Sequence, residues 1–63
     1  MTKKEASTKE KILLAAEDEF AEQGFAGART QEIAKKAGVN KALIHYYYKD
    51  KSSLYQAVMD EMM

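Results

Sequence analysis

"AKKAGVNKALIHYYYKDK", residues 34–51, decides the fold, because a glycine turn separates two helical patterns within it. Ala34 is small enough for a second helix to cross at that point. Gly38 tolerates the left-handed backbone of a tight turn, because it has no Cβ atom. Val39 and Ile44 then anchor the following helix against the preceding one. This spacing predicts a helix-turn-helix.

Polar caps and glycines divide the rest of the chain into helices as well. Ser7 and Glu10 form an S-x-x-E capping box that opens the first helix, and Gly24 is expected to end it. Asn40 and Asp50 are expected to cap the third and fourth helices. The sequence therefore predicts a first helix from Ser7 to Gly24, a connection over residues 25–29, a second helix at Thr30–Ala37, a third to about Tyr48 and a fourth beyond Asp50.

Apolar residues recur on one side of each predicted helix, and they form the predicted core. Phe25 is expected to fold back from the connection onto the first helix and to be buried there. The fold class predicted is all-α. The predicted core residues are Ile12, Leu13, Ala16 and Phe20 in the first helix, Ile33, Ala34 and Ala37 in the second, and Leu54, Val58 and Met62 in the fourth.

Length and composition exclude several classes of protein. A chain of 63 residues is one domain at most, and it has no cysteine for a disulfide. The single histidine, His45, has no nucleophile or metal-ligand set around it, so we predict no enzyme activity, no metal site and no cofactor. No unbroken apolar run of about 18 residues occurs, which excludes a membrane span and suggests a cytoplasmic protein.

The charges are segregated along the chain, although ten basic and ten acidic residues cancel overall. Residues 1–23 carry four lysines against six acidic residues, a net charge of −2. Residues 24–51 carry six basic residues against two acidic ones, a net charge of +4, and residues 52–63 add −2. A basic centre of this kind can attract a phosphate backbone to one face of the domain, and an ordinary mixed-charge helical surface is the alternative.

The outward side of the third helix is rich in aromatic residues. Successive helical residues lie about 100° apart, so with Ile44 at zero Tyr48 falls at about 40°, on the buried side. Ala42 and Tyr46 fall at about 160° and 200°, away from the core. The remaining flanking positions are partly outward. The exposed strip predicted for this helix comprises Ala42, Leu43, His45, Tyr46 and Tyr47.

Lysines frame this exposed strip, with Lys41 in the first turn of the helix and Lys49 and Lys51 just beyond its end. Phenol and imidazole groups suit phosphates and base edges, and small apolar groups suit the methyl group of thymine. The strip therefore favours binding to DNA. Tyrosine is also enriched where proteins contact each other, so a small helical protein-interaction module remains the alternative. Steep salt dependence would distinguish DNA from a protein partner.

The sequence resembles the N-terminal DNA-binding domain of the TetR (tetracycline repressor) family of bacterial regulators. The resemblance begins in "KEKILLAAEDEFAEQGF", residues 9–25, and continues through "TQEIAKKAGVNKALIHYYYKDKSSLYQAV", residues 30–58. The combination of A-x-x-A-G-V, an aromatic-rich helix and K-x-K carries it. It implies a homeodomain-like three-helix helix-turn-helix, followed by the start of a fourth helix, in a bacterial transcription regulator that is usually a repressor.

The resemblance also implies roles for individual residues. Thr30 and Gln31 lie where the second helix touches phosphate or a base, and Arg29 is expected to cap poorly but to add a phosphate contact. The recognition helix enters the major groove, and Lys51 clamps phosphate. Ala42 and Leu43 depart from the usual residues, so the base preference does not carry over. The DNA-binding residues predicted are Arg29, Thr30, Gln31, Asn40, Lys41, Ala42, Leu43, His45, Tyr46, Tyr47 and Lys51.

The resemblance implies partners that the 63 residues do not themselves hold. Members of the family form homodimers through a larger C-terminal helical domain, which also binds a small-molecule inducer, and the dimer reads a double-stranded operator with palindromic half-sites. We therefore expect residues 1–6 to be a disordered arm, residues 7–51 the helix-turn-helix domain, and residues 52–63 a fourth helix leading to that domain, absent from this chain. The outer face of the fourth helix, with Tyr55, Met59 and Met63, is where we expect it to pack.

Overall fold

A computed structural model describes residues 7–61, which form four helices and contain no strand. The helices are α1 (Thr8–Gly27), α2 (Thr30–Ala37), α3 (Lys41–Tyr47) and α4 (Lys51–Glu61). The predicted all-α fold is thus confirmed. None of these helices is long and apolar enough to cross a membrane. The arm predicted at residues 1–6, and the positions of Met62 and Met63, lie outside the described residues.

The first helix begins as predicted, and its regular geometry is broken at Gly24, the predicted end. The Ser7 hydroxyl accepts a hydrogen bond from the Glu10 amide at 3.1 Å, and the Glu10 carboxylate accepts one from the Ser7 amide at 3.0 Å. Gly24 interrupts the helix with a φ of 72°, which suits glycine. A further short helical turn then reaches Gly27. The prediction of a connection over residues 25–29 is therefore wrong for residues 25–27, because the backbone resumes helical geometry directly after the kink.

The core is a single cluster to which all four helices contribute. The largest fully buried side chains are one from α1, one from α2, one from α3 and two from α4. Ala16 and Ala34 are also buried, and their small side chains allow the helices to approach closely. Leu13 and Ala37, predicted as core, are only partly buried against the cluster. Those largest fully buried side chains belong to Ile12, Ile33, Ile44, Leu54 and Val58.

Phe25 lies on the surface rather than in the core, so the prediction that it would be buried is wrong. Its side chain is 40% exposed. Its ring stacks on Phe20 with centroids 6.1 Å apart and meets the edge of Tyr55 at 5.0 Å. The kink at Gly24 directs Phe25 to the rim between α1 and α4, where the three rings form a satellite aromatic cluster.

The turn between α2 and α3 has the geometry that the sequence predicts. Gly38 adopts a left-handed conformation, with φ 72° and ψ 33°. Its amide donates to the Lys35 carbonyl at 3.2 Å, and the Val39 amide donates to the Ala34 carbonyl at 3.0 Å. This pair of hydrogen bonds is the Schellman motif, which satisfies carbonyls left free at the end of α2. The turn separates α2 from α3 by three residues and sets the direction in which α3 begins.

Polar side chains cap the two helices that follow the turn. The Asn40 side-chain oxygen accepts a hydrogen bond from the Ala42 amide at 2.8 Å. Asp50 does the same for the Ser53 amide at 2.8 Å, and this contact lowers the pKa of the Asp50 carboxyl. Both predicted caps are confirmed. Tyr48, predicted as the last residue of the third helix, follows α3 in an extended conformation.

Candidate nucleic-acid interface

The solvent side of α3 carries the aromatic strip that its periodicity predicts. Ile44 and Tyr48 face inward, with 1% and 7% of their surface exposed. Tyr46, on the opposite side, is 79% exposed, and Ala42 and His45 are exposed with it. The burial pattern therefore confirms the predicted orientation of α3.

The side chains of the exposed strip are not equally open to solvent. Tyr46 and Tyr47 meet edge to face, with ring centroids 5.2 Å apart and an angle of 85° between the rings. This arrangement is the favoured one for aromatic pairs and holds both phenols at the surface. Leu43 is half-buried, so the strip is less open there than the sequence predicts. The strip thus presents two adjacent phenol rings beside the half-buried side chain of Leu43.

A groove of about 380 Å³ opens beside this strip, where the N-terminal end of α2 faces α3 and the start of α4. Six of the predicted DNA-binding residues line it, although they are up to 22 positions apart in sequence (Arg29 to Lys51). The other five lie on the outer surface of α3 or at its cap, outside the groove. The groove is lined by Ala28, Arg29, Thr30, Gln31, Lys41, His45, Asp50 and Lys51.

Lys51 has intramolecular contacts that the sequence does not reveal. Its ammonium group donates to the Ala28 carbonyl at 3.1 Å and lies 4.6 Å from the centroid of the Phe25 ring. The lysine thereby connects the start of α4 to the segment that precedes α2. One ammonium proton is used in this contact, and the others remain available at the groove.

The start of α2 exposes three of the predicted residues. Arg29 occupies the N-cap position and its side chain makes no capping hydrogen bond, which confirms the expectation of a poor cap. Arg29 and Gln31 are exposed, and Thr30 is half-buried. The guanidinium group is therefore available for a phosphate, for which its planar set of donors is well suited.

Two lysines of the basic segment, residues 24–51, form ion pairs with carboxylates of the protein itself. Lys36 contacts Asp18 and Glu22 at 2.9 Å and Glu19 at 3.1 Å, and the hydrogen bonds that its ammonium group donates to Glu22 and Asp18 raise its pKa. Lys35 lies 3.8 Å from Glu32 in the same helix. Within residues 7–61, ion pairs of the basic segment involve only these two lysines. The cations at the groove and around α3, which are Arg29, Lys41, Lys49 and Lys51, have no such partner in that range.

Glu19 is a buried charged residue that was not among the residues predicted from the sequence. Its side chain is 4% exposed, on the face of α1 that also buries Ala16 and Phe20. One carboxylate oxygen accepts a hydrogen bond from the Arg29 amide at 3.4 Å, and the other lies 3.1 Å from the Lys36 ammonium. Its position three residues after Ala16 places it on the apolar side, which is the signal that could have identified it.

Comparison with known proteins places these features in a family. Residues 12–58 match the model of "Bacterial regulatory proteins, tetR family". The HTH-type transcriptional repressor SCO4008 of Streptomyces coelicolor is 46% identical over 57 residues, which are 90% of this chain and 30% of that protein. The HTH-type transcriptional regulator RutR of Escherichia coli strain K12 is 41% identical over 58 residues, 92% of this chain and 27% of RutR.

Solved structures agree with the sequence relatives. The crystal structure of HlyIIR, a hemolysin II transcriptional regulator, superimposes with a TM-score of 0.82 at 47% identity, over 84% of this chain and 30% of that one. The chain thus spans about a third of the length of the proteins it matches. It belongs to the tetR family of bacterial regulatory proteins, a family of DNA-binding transcription regulators and not of enzymes.

Proposed function

We propose that the chain reads operator DNA with α3 in the major groove and that it belongs to a transcriptional repressor. The observation that carries this proposal is the convergence of Arg29, Thr30, Gln31, Lys41, His45 and Lys51 on one groove beside the exposed Tyr46. Cations and polar groups in such a groove can hold phosphates, while a neighbouring helix reaches base edges.

The distribution of charge supports the face that carries the groove as the DNA-binding face. The carboxylates of α1 neutralise Lys36 on the side of α2 that faces α1. The cations that line the groove have no ion-pair partner within residues 7–61, so a phosphate backbone meets its strongest attraction there. This pattern also explains how a chain with no net charge can bind a polyanion.

Each predicted residue has a role in this proposal. Arg29, Thr30 and Gln31 contact phosphates or a base edge at the start of α2. Tyr47 and Lys51 contact phosphates on the other side of the groove. Side chains that protrude from α3 or lie at its cap contact bases and the adjacent backbone. These are Asn40, Lys41, Ala42, Leu43, His45 and Tyr46.

The oligomeric state and the regulation of the whole protein are part of the proposal. We expect two copies to pair through a domain beyond this segment and to bind palindromic half-sites, with a small-molecule inducer acting on that domain. A single copy of the 63-residue chain should then bind DNA weakly, with a dissociation constant in the non-specific range of about 10⁻⁴ to 10⁻⁶ M. Linking two copies should increase the affinity, because the second copy is then held near its half-site at a high effective concentration.

Selection of binding sites from random DNA, carried out with two linked copies of the chain, tests the proposal directly. An enriched sequence is expected, and Tyr46→Ala should weaken binding to it by about tenfold, the scale of one lost base contact. Leu14→Ala is the control, because Leu14 is exposed on α1, outside the proposed interface. Absence of an enriched sequence, or equal binding by Tyr46→Ala and the parent, would rule out α3 as the reading helix.

Salt separates this function from binding to a protein partner through the same tyrosines. Binding to DNA should weaken steeply between about 50 and 200 mM salt, because phosphate contacts release counterions. A tyrosine-rich protein contact should respond much less. A flat salt response would favour the protein-interaction alternative.

A further inference from the structure

We propose that Glu19 of α1 is a positioning residue for DNA binding: its buried carboxylate sets the orientation of α2 and thereby places Arg29, Thr30 and Gln31 at the groove. The inference rests on the proposed function and adds to it a residue that lies outside the interface. Glu19 does not line the groove and contacts DNA in no part of the proposal.

The first contact is at the beginning of α2. The Arg29 side chain provides no cap for this helix, so the start of α2 lacks the local hydrogen bond that usually fixes a helix N-terminus. The Arg29 amide donates instead to a carboxylate oxygen of Glu19, 3.4 Å away and ten residues earlier in the chain. The entry to α2 is therefore held by α1 rather than by its own sequence.

The second contact is near the end of α2. The other oxygen of Glu19 lies 3.1 Å from the Lys36 ammonium, which also contacts Asp18 and Glu22. Helical side chains lean towards the N-terminus, so the long side chain of Lys36 reaches back along α2 to this carboxylate. A single buried carboxylate thus contacts groups from both ends of α2.

These contacts matter because α2 cannot maintain its own orientation. A helix of eight residues is unstable alone and depends on packing. Ile33 and Ala34 bury its middle, but apolar contacts are non-directional and resist rotation about the helix axis only weakly. A carboxylate that is 4% exposed needs its hydrogen-bond donors, so it resists any rotation that would remove them.

The first experiment measures the affinity of Glu19 variants for DNA. With two linked copies of the chain and the selected operator, at a temperature at which circular dichroism shows each variant folded, Glu19→Ala should lower affinity by about tenfold for each copy. Glu19→Gln should recover most of it, because the amide oxygen still accepts from Arg29. Glu22→Ala is the control: it removes an exposed partner of Lys36 without touching Arg29, and it should bind like the parent.

A double-mutant cycle then separates positioning from a general loss of structure. Glu19→Ala should add almost nothing to the loss caused by Arg29→Ala, Thr30→Ala and Gln31→Ala together, because it acts by placing those three side chains. It should add its full effect to that of Tyr46→Ala on α3. If Glu19→Ala does not fold, Glu19→Leu replaces it, since an apolar side chain of similar volume suits the buried site and removes both acceptors.

The proposal is overturned if the folded Glu19→Leu variant binds like the parent, if Glu19→Gln fails to recover affinity, or if the loss is equal in every background. Any of these results leaves binding by the parent and its dependence on Tyr46 intact. A failure of the proposed function is different, because the parent itself would then select no sequence.

Discussion

The two helices of the helix-turn-helix, α2 and α3, have similar lengths, eight and seven residues, but they differ in whether their lysines form ion pairs. On α2, Lys35 and Lys36 are paired with carboxylates of α2 itself and of α1. On α3, Lys41 and Tyr46 are exposed, and Lys41 has no ion-pair partner within residues 7–61. The paired lysines of α2 are part of the scaffold, whereas the exposed side chains of α3 are available to a ligand.

The largest expected effect tests the two sides of α3 against each other. Ile44→Ala should lower the free energy of unfolding by about 2–5 kcal/mol, because it leaves a cavity in a fully buried site. Tyr46→Ala should change it by no more than about 0.5 kcal/mol, as is usual for an exposed position. Urea denaturation followed by circular dichroism measures both. Equal losses would mean that the outward side of α3 is part of the structural core.

The second effect concerns the turn that separates the two helices. Gly38→Ala should lower the free energy of unfolding by about 1–2 kcal/mol, because a side chain disfavours the left-handed backbone. Free space surrounds this site, so the backbone conformation alone is responsible. Gly27→Ala is the matched control, with an ordinary contact of 3.4 Å to Gln23, and it should be neutral or raise the free energy by up to about 1 kcal/mol. Thermal melts compare the two variants.

The third effect concerns Tyr48, where α3 ends. Its hydroxyl is buried without a hydrogen-bond partner among the described residues, so Tyr48→Phe should raise the free energy of unfolding by about 1 kcal/mol. Burial, and then the charge of Glu61, raises the pKa of this phenol. Folding therefore favours the protonated form. The stabilisation that comes from keeping this phenol protonated is fully present below its unfolded pKa of about 10. It is lost as the pH rises through the pKa of the folded protein.

The measurement for Tyr48 is a set of chemical denaturation curves between pH 7 and the alkaline range. The parent should lose stability faster than Tyr48→Phe as the pH rises above about 10, since the variant lacks the titrating group. Parallel curves for the two proteins would show that folding does not raise the pKa of this phenol.

The smallest effect compares one lysine from each helix through the salt dependence of DNA binding. Lys41→Ala should reduce the slope of log affinity against log salt by about one, because one phosphate contact is lost. Lys36→Ala should leave the slope unchanged and lower the melting temperature instead, since its charge is used by α1. A reduced slope for Lys36→Ala would mean that Lys36 itself contacts a phosphate, which its ion pairs with α1 do not predict.

Local signals predicted most of the framework. The capping box at Ser7 and Glu10, the cap at Asn40 and the turn at Gly38 all involve residues within five positions of each other, and each is present as predicted. The inward side of α3 followed from the helical period alone. The proposed roles of the exposed strip at DNA stay predictions.

The errors and omissions involve contacts between residues distant in sequence. Phe25 was expected in the core, but its exposure depends on where Tyr55 and Lys51 of α4 lie. Lys36 was counted with the basic segment, yet its charge is neutralised by residues 14 to 18 positions earlier. Periodicity reports which side of a helix is apolar and cannot report which partner faces it.

The sequence by itself determined where helices begin and turn and which side of α3 remains in water, because caps, left-handed glycines and a 3.6-residue period act within a few residues. Only the tertiary structure decided which cations are free. Ion pairs and buried hydrogen bonds depend on distances of about 3 Å between helices, and those distances exist only after the core has packed. Glu19 shows this, since its contacts with Arg29 and Lys36 arise only when α2 lies against α1.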